Sequence, residues 1–137
     1  MKLFIHPLDT MGIDFFWLDI ENKVNLNDIA LLKHYQFSDM LRDYKRRPML
    51  LAPDARLAPH RYPVLYSGKT TVSWSTLKKI PFYNASAFNN GVSFWSHDIG
   101  GYFKGTEDNE LYIRFVQLGT FSPILKFGVD KGEYYKR

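Results

Sequence analysis

Two carboxylates close two separate apolar runs: Asp19 follows Ile13-Asp14-Phe15-Phe16-Trp17-Leu18, and Asp98 follows Phe94-Trp95-Ser96-His97. Runs mixing aromatic, aliphatic and β-branched residues read as buried strands, so each acid stands where a strand hands over to a loop. In alternating β/α proteins that end of the strands carries the active face. Two carboxylates there, among aromatics able to stack on sugar rings, are the equipment of glycoside hydrolysis, one acting as nucleophile and the other as proton donor. Beyond Asp98, Gly100 and Gly101 let the backbone pass close to whatever His97 and Asp98 face. Alone, that segment serves equally as a strand, a turn-capping Asp and a glycine bend. The second carboxylate, Asp19, favours chemistry.

Other chemistries lack their residues. Ser67-Gly68-Lys69-Thr70 looks like the tail of a phosphate-binding loop, but the glycine that motif needs at position 63 is Pro63. His6, His34, His60 and His97 are not spaced as metal ligands, no Gly-x-Ser-x-Gly elbow exists, and there is no cysteine. Neither a metal nor a cofactor is expected.

The elements that must position the two acids alternate in type. Residues 1 to 11 read as the tail of a helix or loop, which suits a chain that starts mid-fold, and Gly12 breaks into a strand over Ile13 to Leu18, expected to be buried on both faces as in a parallel sheet. A helix is expected from Leu26 to Tyr44, capped by Asn25 or Asn27, with Leu31, Tyr35, Leu41 and Tyr44 on its apolar face. Met49 to Ala52 and Val64 to Tyr66 read as strands joined irregularly through Pro59 to Pro63. Thr71 or Ser73 caps a helix through Trp74, Leu77 and Ile80 that Pro81 interrupts or restarts. Then come a strand over Val92 to Trp95, a helix capped by Thr106 with Leu111, Phe115 and Leu118 inward, and a last strand over Phe121 to Leu125. This order is that of parallel β/α units.

The 137 residues suffice for one domain, 1–137, with a real core, against roughly 250 for a complete eight-stranded β/α barrel. Hydrophobic residues make up 45% and charged residues 23%, which excludes disorder. The net charge of +4 comes partly from Arg42, Lys45, Arg46 and Arg47 and partly from Lys131, Lys136 and Arg137. The first cluster suits the negative end of a helix and a solvated turn, so no nucleic-acid partner is expected. The absence of cysteine is compatible with a cytoplasmic location. The start lacks a signal-peptide pattern and no apolar run approaches a membrane span, so no membrane partner is expected either.

Four ordered blocks carry a family resemblance. Gly12 to Asp19, His60 to Gly68, Trp95 to Gly101 and Glu110 to Ile124 resemble, in that order, the signature blocks of glycoside hydrolase family 31, which includes α-glucosidases and α-xylosidases. The resemblance implies an α/β fold that is a partial (β/α)8 TIM-type barrel of about strands four to eight, a retaining two-carboxylate mechanism, and an α-glycoside as ligand. It implies Asp19 at the nucleophile position and Asp98 as a sugar contact, with Trp17 and Trp95 beside them in one cleft. Three family positions differ: the acid/base Asp falls on Lys69, a substrate-binding Arg on Pro53, and a His after the last block on Gly128. Two outcomes follow for the chain itself. It is a hydrolase-derived piece, inactive alone and associating with a missing barrel half or with itself, or it is a non-catalytic carbohydrate-binding or interaction remnant.

Overall fold

A computed structural model describes residues 2–19, 26–42, 47–53, 59–62 and 64–128. The chain divides into two compact units, Met1–Leu65 and Tyr66–Arg137.

The first unit opens with α1 (Ile5–Thr10), followed by β1 (Phe16–Trp17), α2 (Leu26–Met40) and β2 (Leu50–Pro53). β1 and β2 are parallel, with Phe16 opposite Leu50 and Trp17 opposite Leu51, so the chain between them is a β-α-β crossover. β1 is shorter than the apolar run that contains it. Gly12 turns the chain out of α1 at φ +99°, and the ladder begins only where Phe16 N–H donates to the Met49 carbonyl. Nor is β1 buried on both faces, since Phe15 and Trp17 are half exposed.

The buried face of α2 also differs from the expected one. Leu31, Tyr35 and Leu41 face solvent, while Ile29, Lys33 and Gln36 are buried at helical spacing. A lysine can serve an apolar face because its methylene stem packs like an aliphatic side chain. The Lys33 ammonium lies 4.6 Å from the centre of the Tyr62 ring, which Phe37 meets edge-on at 5.3 Å. The C-terminal end of α2 holds α1. His6 Nε2 is 2.9 Å from Asp39 Oδ1, and Arg42 donates to the Asp39 carboxylate and carbonyl and pairs with Asp9. Arg42 thus sits at a helix end, as its cluster suggested; Lys45 and Arg46, the Asn25 cap and the Tyr44 boundary lie outside the described residues, as do the side chain of Asn27 and the basic tail of Lys131, Lys136 and Arg137.

β3 (Val64–Tyr66) brings the chain into the second unit, where α3 (Trp74–Asn89), β4 (Phe94–Ile99), α4 (Asn109–Gly119) and β5 (Ile124–Phe127) follow. Ser73, not Thr71, caps α3 by accepting from Thr76 N–H at 3.2 Å. Pro81 does not stop the helix: it is exposed and inside α3, so its ring costs one backbone bond without meeting the core. Asp108, rather than Thr106, caps α4 by accepting from Leu111 N–H at 2.9 Å. α3 and α4 pack on β4 through Val72, Ile80, Ile99, Leu111 and Phe115, with Leu77, Val116 and Leu118 at the margin.

Both strands of this unit start later than their apolar runs. Gly91 at φ +76° closes α3, and Val92 N–H still donates to Ala87 O, so β4 begins at Phe94 and carries Ser96, His97 and Asp98 within the strand. Bonds from Phe121 N–H to Leu118 O and Ser122 N–H to Gly119 O make a turn, which leaves Phe121 87% exposed and puts the start of β5 at Ile124. β4 and β5 are parallel, pairing Ser96 with Ile124, His97 with Leu125, Asp98 with Lys126 and Ile99 with Phe127.

Candidate functional site

Alternation along β4 sorts its polar residues onto two faces, Ser96 and Asp98 on one, Trp95, His97 and Ile99 on the other. Ile99 belongs to the core beneath α3 and α4, which marks the second face as the helix side.

Asp98 is fully buried and meets three groups. Strand register sets it beside Lys126, whose ammonium pairs with Oδ1 and is 11% exposed. Tyr66 O–H donates to Oδ2 at 3.1 Å, and the same ammonium lies 4.2 Å from the Tyr66 ring centre. The cation is thus held by a carboxylate and a π face, which together replace the water it has lost. Gly128 closes the far side: a Cβ there would stand 2.7 Å from Asp98 Oδ1 and 3.4 Å from Tyr102 Cδ2.

On the helix side, His97 Nε2 is 2.8 Å from Ser122 Oγ, which also accepts from Asn84 Nδ2 at 3.0 Å. Burial lowers the pKa of His97, so the fold holds a neutral ring, with the charges of Asp98 and Lys126 acting in opposite directions.

Two loops beyond the strand ends are zipped together. Tyr102 N–H donates to Thr70 O at 2.7 Å and Val72 N–H to Phe103 O at 3.0 Å, making a bridge between Thr71 and Phe103. Gly101, at φ +80°, lets them close, since a Cβ there would meet Thr71 O at 2.8 Å. Lys69 is exposed on the first loop with its ammonium 4.8 Å from the Tyr102 ring centre. The zip continues where Trp74 Nε1 donates to Asp108 Oδ2 at 2.9 Å.

Among the residues singled out from sequence, Gly128 adjoins both Asp98 and Tyr102, and Lys69 approaches the Tyr102 ring. Trp95 does not join Asp98 as expected. Three residues away along a strand, it faces the helix side, with its indole N–H buried and no hydrogen-bond partner among the described residues. Trp17 and Asp19 are exposed in the first unit, on either side of the Leu18 N–H bond to Leu51 O at 2.8 Å, and Pro53 ends β2. Sequence reasoning missed Tyr66 and Lys126. A lone lysine in Ile124-Leu125-Lys126-Phe127 was the available signal, because a charge inside a strand calls for a partner on the next strand.

The family model of the glycosyl hydrolases family 31 TIM-barrel domain matches residues 1–136. The chain belongs to glycosyl hydrolase family 31. Its α/β fold is accordingly a partial (β/α)8 barrel. Neutral α-glucosidase AB of Homo sapiens is 32% identical over 104 residues, covering 73% of this chain and 11% of that protein. The α-xylosidase of Saccharolobus solfataricus is 25% identical over 145 residues, covering 85% of this chain and 20% of that protein. Among solved structures, the family 31 α-xylosidase of Xanthomonas citri superposes with a TM-score of 0.71 at 17% identity, covering 96% of this chain and 19% of that one. The chain thus spans about a fifth or less of the length of these family 31 relatives.

Among the described residues, no helix is long and apolar enough to cross a membrane, and no three His, Asp or Glu side chains are grouped to hold a metal.

Proposed function

We propose that this chain is a catalytically silent piece of retaining α-glycosidase machinery, with an α-glycoside as its ligand class and the cytoplasm as its setting. Lys69 carries the reading. At the family's acid/base position it offers a cation, with its ammonium on the Tyr102 ring, where the mechanism needs a carboxyl that gives a proton and takes it back. Losing general acid catalysis costs roughly a hundred- to ten-thousandfold in rate. Pro53 and Gly128 remove an arginine and a histidine that would position the sugar, and both losses act on the same transition state. Asp19 keeps the nucleophile position. A second reading, a carbohydrate-binding remnant, draws on Trp17, whose half-exposed ring offers a stacking face two residues before Asp19.

An aryl α-glucoside or α-xyloside with a good leaving group tests the proposal, because its first step needs little acid assistance. The expected result is no release of phenol above background, unchanged by Lys69→Asp. A phenol burst from the unmodified chain that disappears in Asp19→Ala would overturn it.

A further inference from the structure

We infer that Asp98, Lys126 and Gly128 form one interdependent structural lock, in which Lys126 positions the carboxylate and Gly128 supplies the space it fills, so that Asp98 is not a sugar contact. Each Asp98 oxygen already has a partner, Oδ1 the Lys126 ammonium and Oδ2 the Tyr66 hydroxyl, and no part of the residue reaches solvent. Each oxygen could accept a second bond, but because the residue is fully buried a sugar hydroxyl could reach one only by displacing the side chains packed over it, and losing Lys126 or Tyr66 in doing so would leave an uncompensated charge or donor.

Gly128 makes the arrangement mutually dependent. Its backbone does not require a glycine, as no positive φ is recorded there; the restriction is the 2.7 Å separation between a Cβ at 128 and Asp98 Oδ1. Any side chain at 128 therefore competes with the carboxylate held by Lys126. The glycine at 128 and the lysine at 126 are then one coupled feature, and a histidine returned to position 128 would dislodge Asp98 instead of adding a donor beside it.

Urea unfolding of the full chain tests this without any carbohydrate, so its outcome is separate from that of the phenol assay. Asp98→Asn and Lys126→Met should each lower the midpoint, while the double variant recovers most of the loss. Gly128→Ala should lower the midpoint in the native background and lose most of that effect in an Asp98→Ala, Lys126→Met background, which carries no unpaired buried charge and guards against misfolding of the single variants. A carboxylate kept for a ligand behaves otherwise, because its removal leaves stability unchanged or raised. Additive losses in the first set, or an equal effect of Gly128→Ala in both backgrounds, would overturn the lock.

Discussion

His97 reaches Ser122 with Nε2 2.8 Å from Oγ, tying the middle of β4 to the turn that leads into β5. Burial keeps the ring neutral and lowers its pKa below the ordinary 6.5. The unfolded chain therefore takes up a proton at this residue before the folded chain does as pH falls. The stability that depends on a neutral His97 is fully present above about pH 6.5 and declines as pH falls through that value toward the folded pKa. Urea midpoints measured from pH 8 to pH 5 should fall more steeply for the native chain than for His97→Gln. Parallel profiles would show that another group carries the acid sensitivity.

Asp108 serves two donors, Leu111 N–H at the start of α4 and the Trp74 indole at the start of α3. The bond from Leu111, then that from Trp74, hold its pKa below the ordinary carboxylate value, so its contribution is present above about pH 4 and is lost as pH falls through the lowered value. Asp108→Ser should keep the cap yet change the indole emission of Trp74. Asp108→Ala should change the emission and also lower the thermal midpoint. Equal midpoints for the two variants would remove the cap from the account.

Gly101→Ala should destabilise the chain by about 1–3 kcal/mol, because its φ of +80° is strained for any side chain and the new Cβ would press on Thr71 O. Chemical denaturation measures the loss. Gly68, also at positive φ but with open space around it, should tolerate alanine better.

Self-association is expected at micromolar concentration. Phe121, Leu125 and Phe127 are all more than half exposed along the turn and strand of β5, and apolar strands in water recruit one another. Sedimentation velocity should show species larger than 16.1 kDa. A single monomeric boundary across the concentration range would count against it.

The alternation of strands and helices was legible because apolar periodicity and turn residues mark element type. The inward face of α4 followed from Leu111 and Phe115 for the same reason. Boundaries were less legible where a backbone turn intervened, as at Gly91 and Phe121, since a ladder starts where hydrogen bonds allow and not where apolar residues begin. The face of α2 was misread because Lys33 and Gln36 count as polar by type while their stems are buried. The interior pair of Asp98 and Lys126 was hidden by its sequence separation: only strand register joins residues 28 apart.

The shared bonds of the loops at Thr70–Val72 and Gly101–Phe103 bear on how this part of the chain can change over evolutionary time. Each loop supplies acceptors for the other's backbone N–H groups, and Gly101 and Gly105 leave no room for side chains against Thr71 and Val72. An insertion in either loop, or a transplant of one from a relative, would strand its neighbour's donors and meet backbone where space had been. A change of length in one segment therefore calls for a matching change in the other, whereas side chains such as Lys69 and Lys104 can be replaced on the same backbone without disturbing the shared bonds.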